Sequence, residues 1–303
     1  MGFFGGGYDK PGKGVDKDAP KKKGFFLFWD IVIHKFTKFL QLNSLHSVCS
    51  VIWIVLLYFF AAFILAGHPA FLAGISAQMQ LDGTSGSDMT SMIIFGFCTM
   101  FAIAVFMLWG SGPVSAAYSY VVRCFTRGEH AWIVSDGRDK IKENFKQGMI
   151  VVLIDAVILV FGINALYFYF SAYQTYGSVM WMILCYVTFL LLLIYTMIHP
   201  YLYQLMVTFE CTIGQLYRNA ILLTLGNLPI NFLLTLIEAA IIFAAFNLFN
   251  PAIAILFSLI IGSCIMRFPT EFYAARVIER SIINDLKEKT PTVKIKYLEE
   301  DEV

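Results

Sequence analysis
Six stretches of this chain, Ser47–Ala66, Ser91–Trp109, Met149–Tyr173, Val179–Met206, Ile230–Phe246 and Pro251–Phe268, are nearly unbroken runs of apolar residues. With a rise of about 1.5 Å per residue, helices of this length cross a hydrocarbon layer roughly 30 Å thick. Only 14% of the 303 residues are charged and 58% are hydrophobic. A soluble domain carries about a quarter charged residues, so water cannot solvate this chain on all sides. The expected fold is all-α: a polytopic membrane bundle of six transmembrane helices with cytoplasmic helical extensions. Residues 1–23 read as a flexible basic tail, 24–284 as the membrane domain and 285–303 as an acidic tail. The first 23 residues lack the apolar core of a signal peptide.

The cations are one-sided. Eight Lys or Arg precede the first run, 6 lie in Gly110–Gly148, 1 in Val207–Pro229 and 7 from Arg267 onward. The intervening segments Gly67–Thr90, Gln174–Ser178 and Asn247–Asn250 contain none. Positive residues beside short loops stay inside during insertion, so a plasma-membrane protein with both termini cytoplasmic is expected. The six cysteines are scattered singly, and Cys49, Cys98, Cys124, Cys185, Cys211 and Cys264 read as small packing residues rather than a disulfide or zinc framework.

The hairpins resemble copies of one unit. Asn43, Asn144 and Asn227 each precede an outgoing run, and Pro113, Pro200 and Pro269 each close a returning one. Asp155 and Glu238 both stand eleven residues after their asparagine. Three pseudo-repeated hairpins explain this pattern; the competing reading is that short apolar strings match by chance. A proline deletes a helical hydrogen bond and crowds the preceding turn, so each return should bend or hinge near the inner interface. Gly110, Gly112, Ala116 and Ala117 would let helices approach closely there.

The stretch "GPVSAAYSYVVRCFTRGE", followed by "DGRDKIKENFKQ", resembles the YesL family of bacterial integral membrane proteins. The residues that carry the resemblance are Gly112, Pro113, Ala116, Ala117, Tyr118, Arg123, Arg127, Gly128, Glu129, Asn144, Phe145, Lys146 and Gln147. The opening "MGFF" is also similar to the family's. The likeness is sharp over residues 112–147 and otherwise one of hydropathy. It implies a Gram-positive plasma membrane and an association with carbohydrate transport, since members often neighbour genes for carbohydrate transporter subunits. It implies no activity and no catalytic residues. This chain is longer than a usual member, with the Gly67–Thr90 segment and both tails added.

Asp155 and Glu238 are the sharpest chemical candidates, because an ionisable group at a helix centre costs about 2.5–3.5 kcal/mol to insert. No Lys or Arg stands in the middle of a run, so no salt-bridge partner is expected. His199, Gln204, Asn164, Glu210, Arg267 and Glu271 are the polar neighbours to consider. Two readings compete: a proton- or cation-coupled site, and protonated acids that hold the bundle in register. The five histidines have no ligand spacing, and neither G-x-S-x-G nor H-E-x-x-H occurs. "GYDKPGKG" nearly spells a phosphate loop, but Gly14 replaces the hydroxyl residue, and a lysine-bearing linker is the simpler reading. No cofactor and no nucleic-acid partner is expected.

Residues 24–42 predict an amphipathic helix at the interface, with Asp30, His34, Lys38 and Gln41 on one stripe. Val121–Phe145 predicts an amphipathic pair broken at Arg127–Gly128, the second helix starting near Ser135 or Asp136. Its cations Arg123, Arg127, Arg138, Lys140, Lys142 and Lys146 would meet anionic lipid headgroups or an acidic partner, though plain positive-inside topology accounts for the same charges. An accessory or regulatory membrane component, non-enzymatic, is the leading expectation. A carrier using the intramembrane acids comes second, and a membrane enzyme last.

Overall fold
A computed structural model describes residues 24–69, 73, 86–248 and 251–283. The phosphate-loop-like string, both tails and most of Gly67–Thr90 lie outside these residues. The helices in chain order are α1 (Gly24–His34), α2 (Phe36–Cys49), α3 (Val51–Ala66), α4 (Gly86–Trp109), α5 (Pro113–Arg127) and α6 (Ile133–Glu143). There follow α7 (Phe145–Tyr176), α8 (Val179–Thr208), α9 (Ile213–Gly226), α10 (Leu228–Leu248), α11 (Pro251–Phe257) and α12 (Ser263–Ile278). A π-helical turn, Ser258–Gly262, joins α11 to α12, and a second, Glu279–Ile283, follows α12.

Among the described residues, four helical stretches are long and apolar enough to cross a membrane: Phe145–Tyr176, Val179–Thr208, Leu228–Ala245 and Ile255–Ile283. Two bent pairs, α2 with α3 at 55° and α4 with α5 at 50°, raise the number to six if each pair is one span. Their outward faces are greasy. Phe59, Ile52, Phe161 and Leu191 are all more than 60% exposed, which water would not tolerate over so wide a surface. The chain is a multi-pass helical membrane protein.

Burial is concentrated at one end. In α8 every buried residue falls between Met197 and Thr208, while the stretch before it faces outward or is half-buried. Nearly all of α5 is buried, as is most of α12 from Met266. These three segments begin beside Pro113, Pro200 and Pro269, and α5, α8 and α12 all pack against one another.

The prolines do different things. At Pro113 the chain turns through 50°, helped by positive φ at Gly110 and Gly112 and by Ser111 N–H donating to Ser115 Oγ at 2.7 Å. Pro200 and Pro269 instead sit inside continuous helices. Pro113 therefore marks a break between helices, whereas the helix runs on through Pro200 and Pro269. Dense packing around α8 and α12 keeps them helical, and a cavity of ≈ 10 Å³, room for about one water, borders Pro200 and Thr196, whose carbonyl the proline frees.

Other expectations shift as well. The 24–42 helix breaks at Lys35, though Lys35 N–H still donates to Ile31 and its carbonyl still accepts from Phe39. The second piece runs on to Cys49, so the outgoing helix of the first hairpin starts at Val51 rather than Ser47. α6 begins at Ile133 instead of Ser135 or Asp136, because Asp136 Oδ2 reaches back to accept the Trp132 N–H at 2.8 Å. α9 was not foreseen. A capping box starts it: Thr212 Oγ1 accepts the Gln215 N–H, and Gln215 Oε1 accepts the Thr212 N–H. Thr212→Ala should cost about 1 kcal/mol and appear as faster amide exchange through the first turn of α9. Unchanged exchange there would remove the cap from the account.

Candidate functional site
Where the three post-proline segments meet, polar side chains from all of them converge on Glu271 of α12. Its Oε1 accepts from Ser119 Oγ of α5 at 2.7 Å and from Arg267 Nε and Nη2 at 3.3 and 3.2 Å. Its Oε2 accepts from Gln204 Nε2 of α8 at 2.8 Å. Glu271 is fully buried and Arg267 5% exposed, so this ion pair lies inside the protein. Arg267 Nη1 also donates to Ser115 Oγ at 3.0 Å and to His46 Nε2 at 3.1 Å. A guanidinium only donates, so His46 must offer a lone pair at Nε2 and carry its proton on Nδ1, as a neutral ring. The cation also lies over Tyr118 and Tyr203, 4.9 and 5.5 Å from the ring centres.

The two bends are tied into this node. Ser50, at the α2–α3 bend, and Ser111, at the α4–α5 bend, share a hydrogen bond of 2.6 Å. Gly112 N–H donates to Tyr203 Oη, and Tyr203 Oη donates to the Trp109 carbonyl, both at 3.2 Å. Chain direction at the break is thus held by α8.

A second node surrounds Asp155 of α7, which is 1% exposed. Its Oδ1 accepts from Tyr195 Oη at 2.6 Å and lies 3.0 Å from His199 Nε2. His199 Nδ1 is 3.1 Å from the Tyr195 carbonyl, which can only accept, so Nδ1 carries a proton. The proton between His199 Nε2 and Asp155 therefore belongs to one or the other. The pair is an imidazolium with a carboxylate or a neutral ring with a carboxylic acid, and is neutral overall either way. Trp109 stacks on His199 at 5.3 Å and 11°. Tyr195 spends its proton on Asp155, so Tyr217 of α9 is the donor across their 3.3 Å contact. Burial pushes the Tyr217 hydroxyl above its ordinary pKa, opposed by its hydrogen bond to Tyr195, so that proton is retained at neutral pH.

Glu238 of α10 forms the third polar contact, with Thr270 Oγ1 at 2.9 Å. Thr270 Oγ1 is also 2.9 Å from the Arg267 carbonyl. Glu238, His199 and Arg267 line the same ≈ 10 Å³ cavity, together with Asn231, which accepts from Tyr201 Oη. Each acid contacts a proline-bearing helix one residue from the proline, Asp155 at His199 just before Pro200 and Glu238 at Thr270 just after Pro269. Asp155 is thus not without a basic partner, as the absence of Lys and Arg suggested; its partner is a histidine.

Of the remaining candidates, Gln204, Arg267 and Glu271 join the core. Asn164 bonds back to Val160 on its own helix, and Glu210 is exposed. Asn144 and Asn227 play one role: each caps the preceding short helix through Nδ2, to the Lys140 and Leu223 carbonyls. Asn43 differs, lying within α2 and donating to Leu259 O at 2.9 Å. Arg123 is buried and donates to Val207 O and Thr208 Oγ1, and Lys140 is 9% exposed and pairs with Glu143 at 3.0 Å. These two cations support packing and are not free for headgroups. Arg127 pairs with Glu129 at 2.9 Å around Gly128, whose φ of +79 ends α5. Phe145 is half exposed at the start of α7.

Sequence reasoning missed Ser115, Ser119, His46, Tyr195 and Tyr203. Tyr195 alone carried a local signal, lying one helical turn before His199. Among the described residues, no three His, Cys, Asp or Glu side chains gather as a metal centre requires. The arrangement is that of a helical membrane protein with an internally paired polar core. No family model, no curated protein and no solved structure matches the chain.

Proposed function
We propose that this chain is a non-enzymatic accessory or regulatory component of carbohydrate uptake in a bacterial plasma membrane, of the YesL type. It crosses the bilayer six times, each bent pair counting as one span, in three pseudo-repeated hairpins with both termini cytoplasmic. The observation that carries this reading is the closure of the polar core: Asp155 pairs with His199 and Arg267 with Glu271, and the cavity that His199, Arg267 and Glu238 line has room for about one water. The carbohydrate association rests on the likeness of residues 112–147. The sidedness of the cations supports the orientation, and the equal spacing of Asp155 and Glu238 from Asn144 and Asn227, each acid meeting a residue next to a helix proline, supports the repeat.

A second reading, a proton- or cation-coupled carrier, draws on one observation: Asp155 Oδ2 is buried without a hydrogen-bond partner beside a histidine that shares a proton. The two readings separate in liposomes. With a closed register-holding core, purified protein adds no proton or sugar flux, and Asp155→Asn changes nothing. Asp155→Leu leaves Tyr195 and His199 without an acceptor and should lower stability by about 1–3 kcal/mol, read from unfolding in mixed micelles. Flux that Asp155→Asn abolishes would establish the carrier instead. Carbohydrate transporter subunits should co-purify with the native protein; their absence from gently solubilised membranes would overturn the accessory role.

A further inference from the structure
Between α2 and α6, with α5 as its floor, runs a groove of ≈ 350 Å³, within the size range of small-molecule sites. Leu42, Leu45, Ala117, Val121, Ile133 and Ile141 line it. It continues into a wider cleft of ≈ 1120 Å³, since Leu45, Ile133, Val134 and Arg138 border both. Cations stand at the rim: Arg138 and Lys142, one turn apart on α6, and Lys38 across the cleft on α2. Arg138 and Lys142 are exposed, and among the described residues no carboxylate pairs with any of the three. Lys35, at the α1–α2 junction, is held below its ordinary pKa first by burial and then by the nearby charge of Lys38.

The geometry points to a binding site for an anionic phospholipid, one acyl chain lying in the groove and the phosphate meeting Arg138, Lys142 and Lys38. An apolar slot edged by unpaired cations complements one molecule that is apolar along its length and anionic at its end. The neighbouring surface supplies access. Cys49 and Val48 line the groove and cleft, and the chain then continues into Val51 and Ile52, which are 54% and 71% exposed on the flank of α3. Trp132, 69% exposed at the start of α6, stands at the mouth, as interfacial tryptophans do. The site requires the membrane reading above but not the role in carbohydrate uptake, so either can fail alone.

The test uses the full chain in mixed micelles of dioleoylphosphatidylglycerol and dioleoylphosphatidylcholine, with retained lipid counted by native mass spectrometry. One phosphatidylglycerol should be kept over phosphatidylcholine by about tenfold or more, given two or three cations near one phosphate. Arg138→Gln with Lys142→Gln should abolish that preference, while Lys146→Gln, an exposed cation away from the groove, should leave it intact. Leu45→Trp, which fills the slot without touching charge, should displace the lipid. Equal retention of both lipids, an unaffected double variant, or an equal loss in Lys146→Gln would overturn the proposal in favour of diffuse charge attraction. Circular dichroism on each variant confirms that the helices persist.

Discussion
Glu271→Leu should destabilise the protein by about 3–5 kcal/mol, because it leaves Arg267 charged and buried without its counter-ion. The environment makes the loss severe. Arg267 has His46, Ser115 and two tyrosine faces around it, and among the described residues Glu271 is the carboxylate that bonds to it, Glu238 only sharing its cavity. Ser119 and Gln204 lose their shared acceptor in the same step. Since those two side chains come from α5 and α8, the loss falls on the junction of all three post-proline segments. Arg267→Met should cost a similar amount for the mirror reason, an uncompensated carboxylate. The double variant, Arg267→Met with Glu271→Leu, should be less damaging than either single change, because neither member of the pair is then left without its counter-charge. Reversible unfolding in mixed micelles measures all three. If the single variants each cost under about 1 kcal/mol, or their effects simply add, the pair is not the centre of the fold.

What the residues disclosed follows from what lipid enforces. A hydrocarbon layer demands spans of fixed length, so Val179–Met206 and Met149–Tyr173 lie within a few residues of the helices observed. The inner layer obeys no such rule. Arg123 and Lys140 looked like exposed cations because a local string cannot reveal that α5 packs against the end of α8, where Arg123 meets Val207 and Thr208, or that Lys140 of α6 lies over the Tyr120 ring of α5. Nor does a proline alone tell a break from a continuous helix: the chain breaks before Pro113 and stays helical through Pro200 and Pro269. Asp155 and Glu238 were legible as unusual, each standing eleven residues after an asparagine in an apolar run. Their partners were not: Tyr195 and His199 lie 40 and 44 residues from Asp155, and only helix register brings them within 3 Å or so. Glu271 was visible only as a polar neighbour at a span's end, though it collects more contacts than either acid.

Gly148→Ala should destabilise by about 1–3 kcal/mol, and Gly148→Leu by more, although Gly→Ala inside a helix ordinarily stabilises by about 0.5–1 kcal/mol. A Cβ at Gly148 would stand 2.5 Å from Pro113 N and 2.8 Å from Pro113 Cα. On the opposing side, Gly112 has φ +62, and its own Cβ would fall 2.6 Å from the Gly148 carbonyl oxygen. Both obstacles are backbone, so neither can rotate away. Relief requires α7 to move off the start of α5, and α7 carries Asp155 seven residues further on, two helical turns along the same face. The shift would therefore stretch the Asp155–His199 contact as well, coupling an overpacking error to a polar one. Gly137 in α6 is the control: nothing lies within 4 Å of its Cβ position, so Gly137→Ala should stabilise by about the ordinary helical increment. Opposite signs at the two glycines, measured in the same micelles, distinguish contact between backbones from helix propensity. A stabilising Gly148→Ala would mean that α5 and α7 do not touch at the break, and the bend at Pro113 would then need another support.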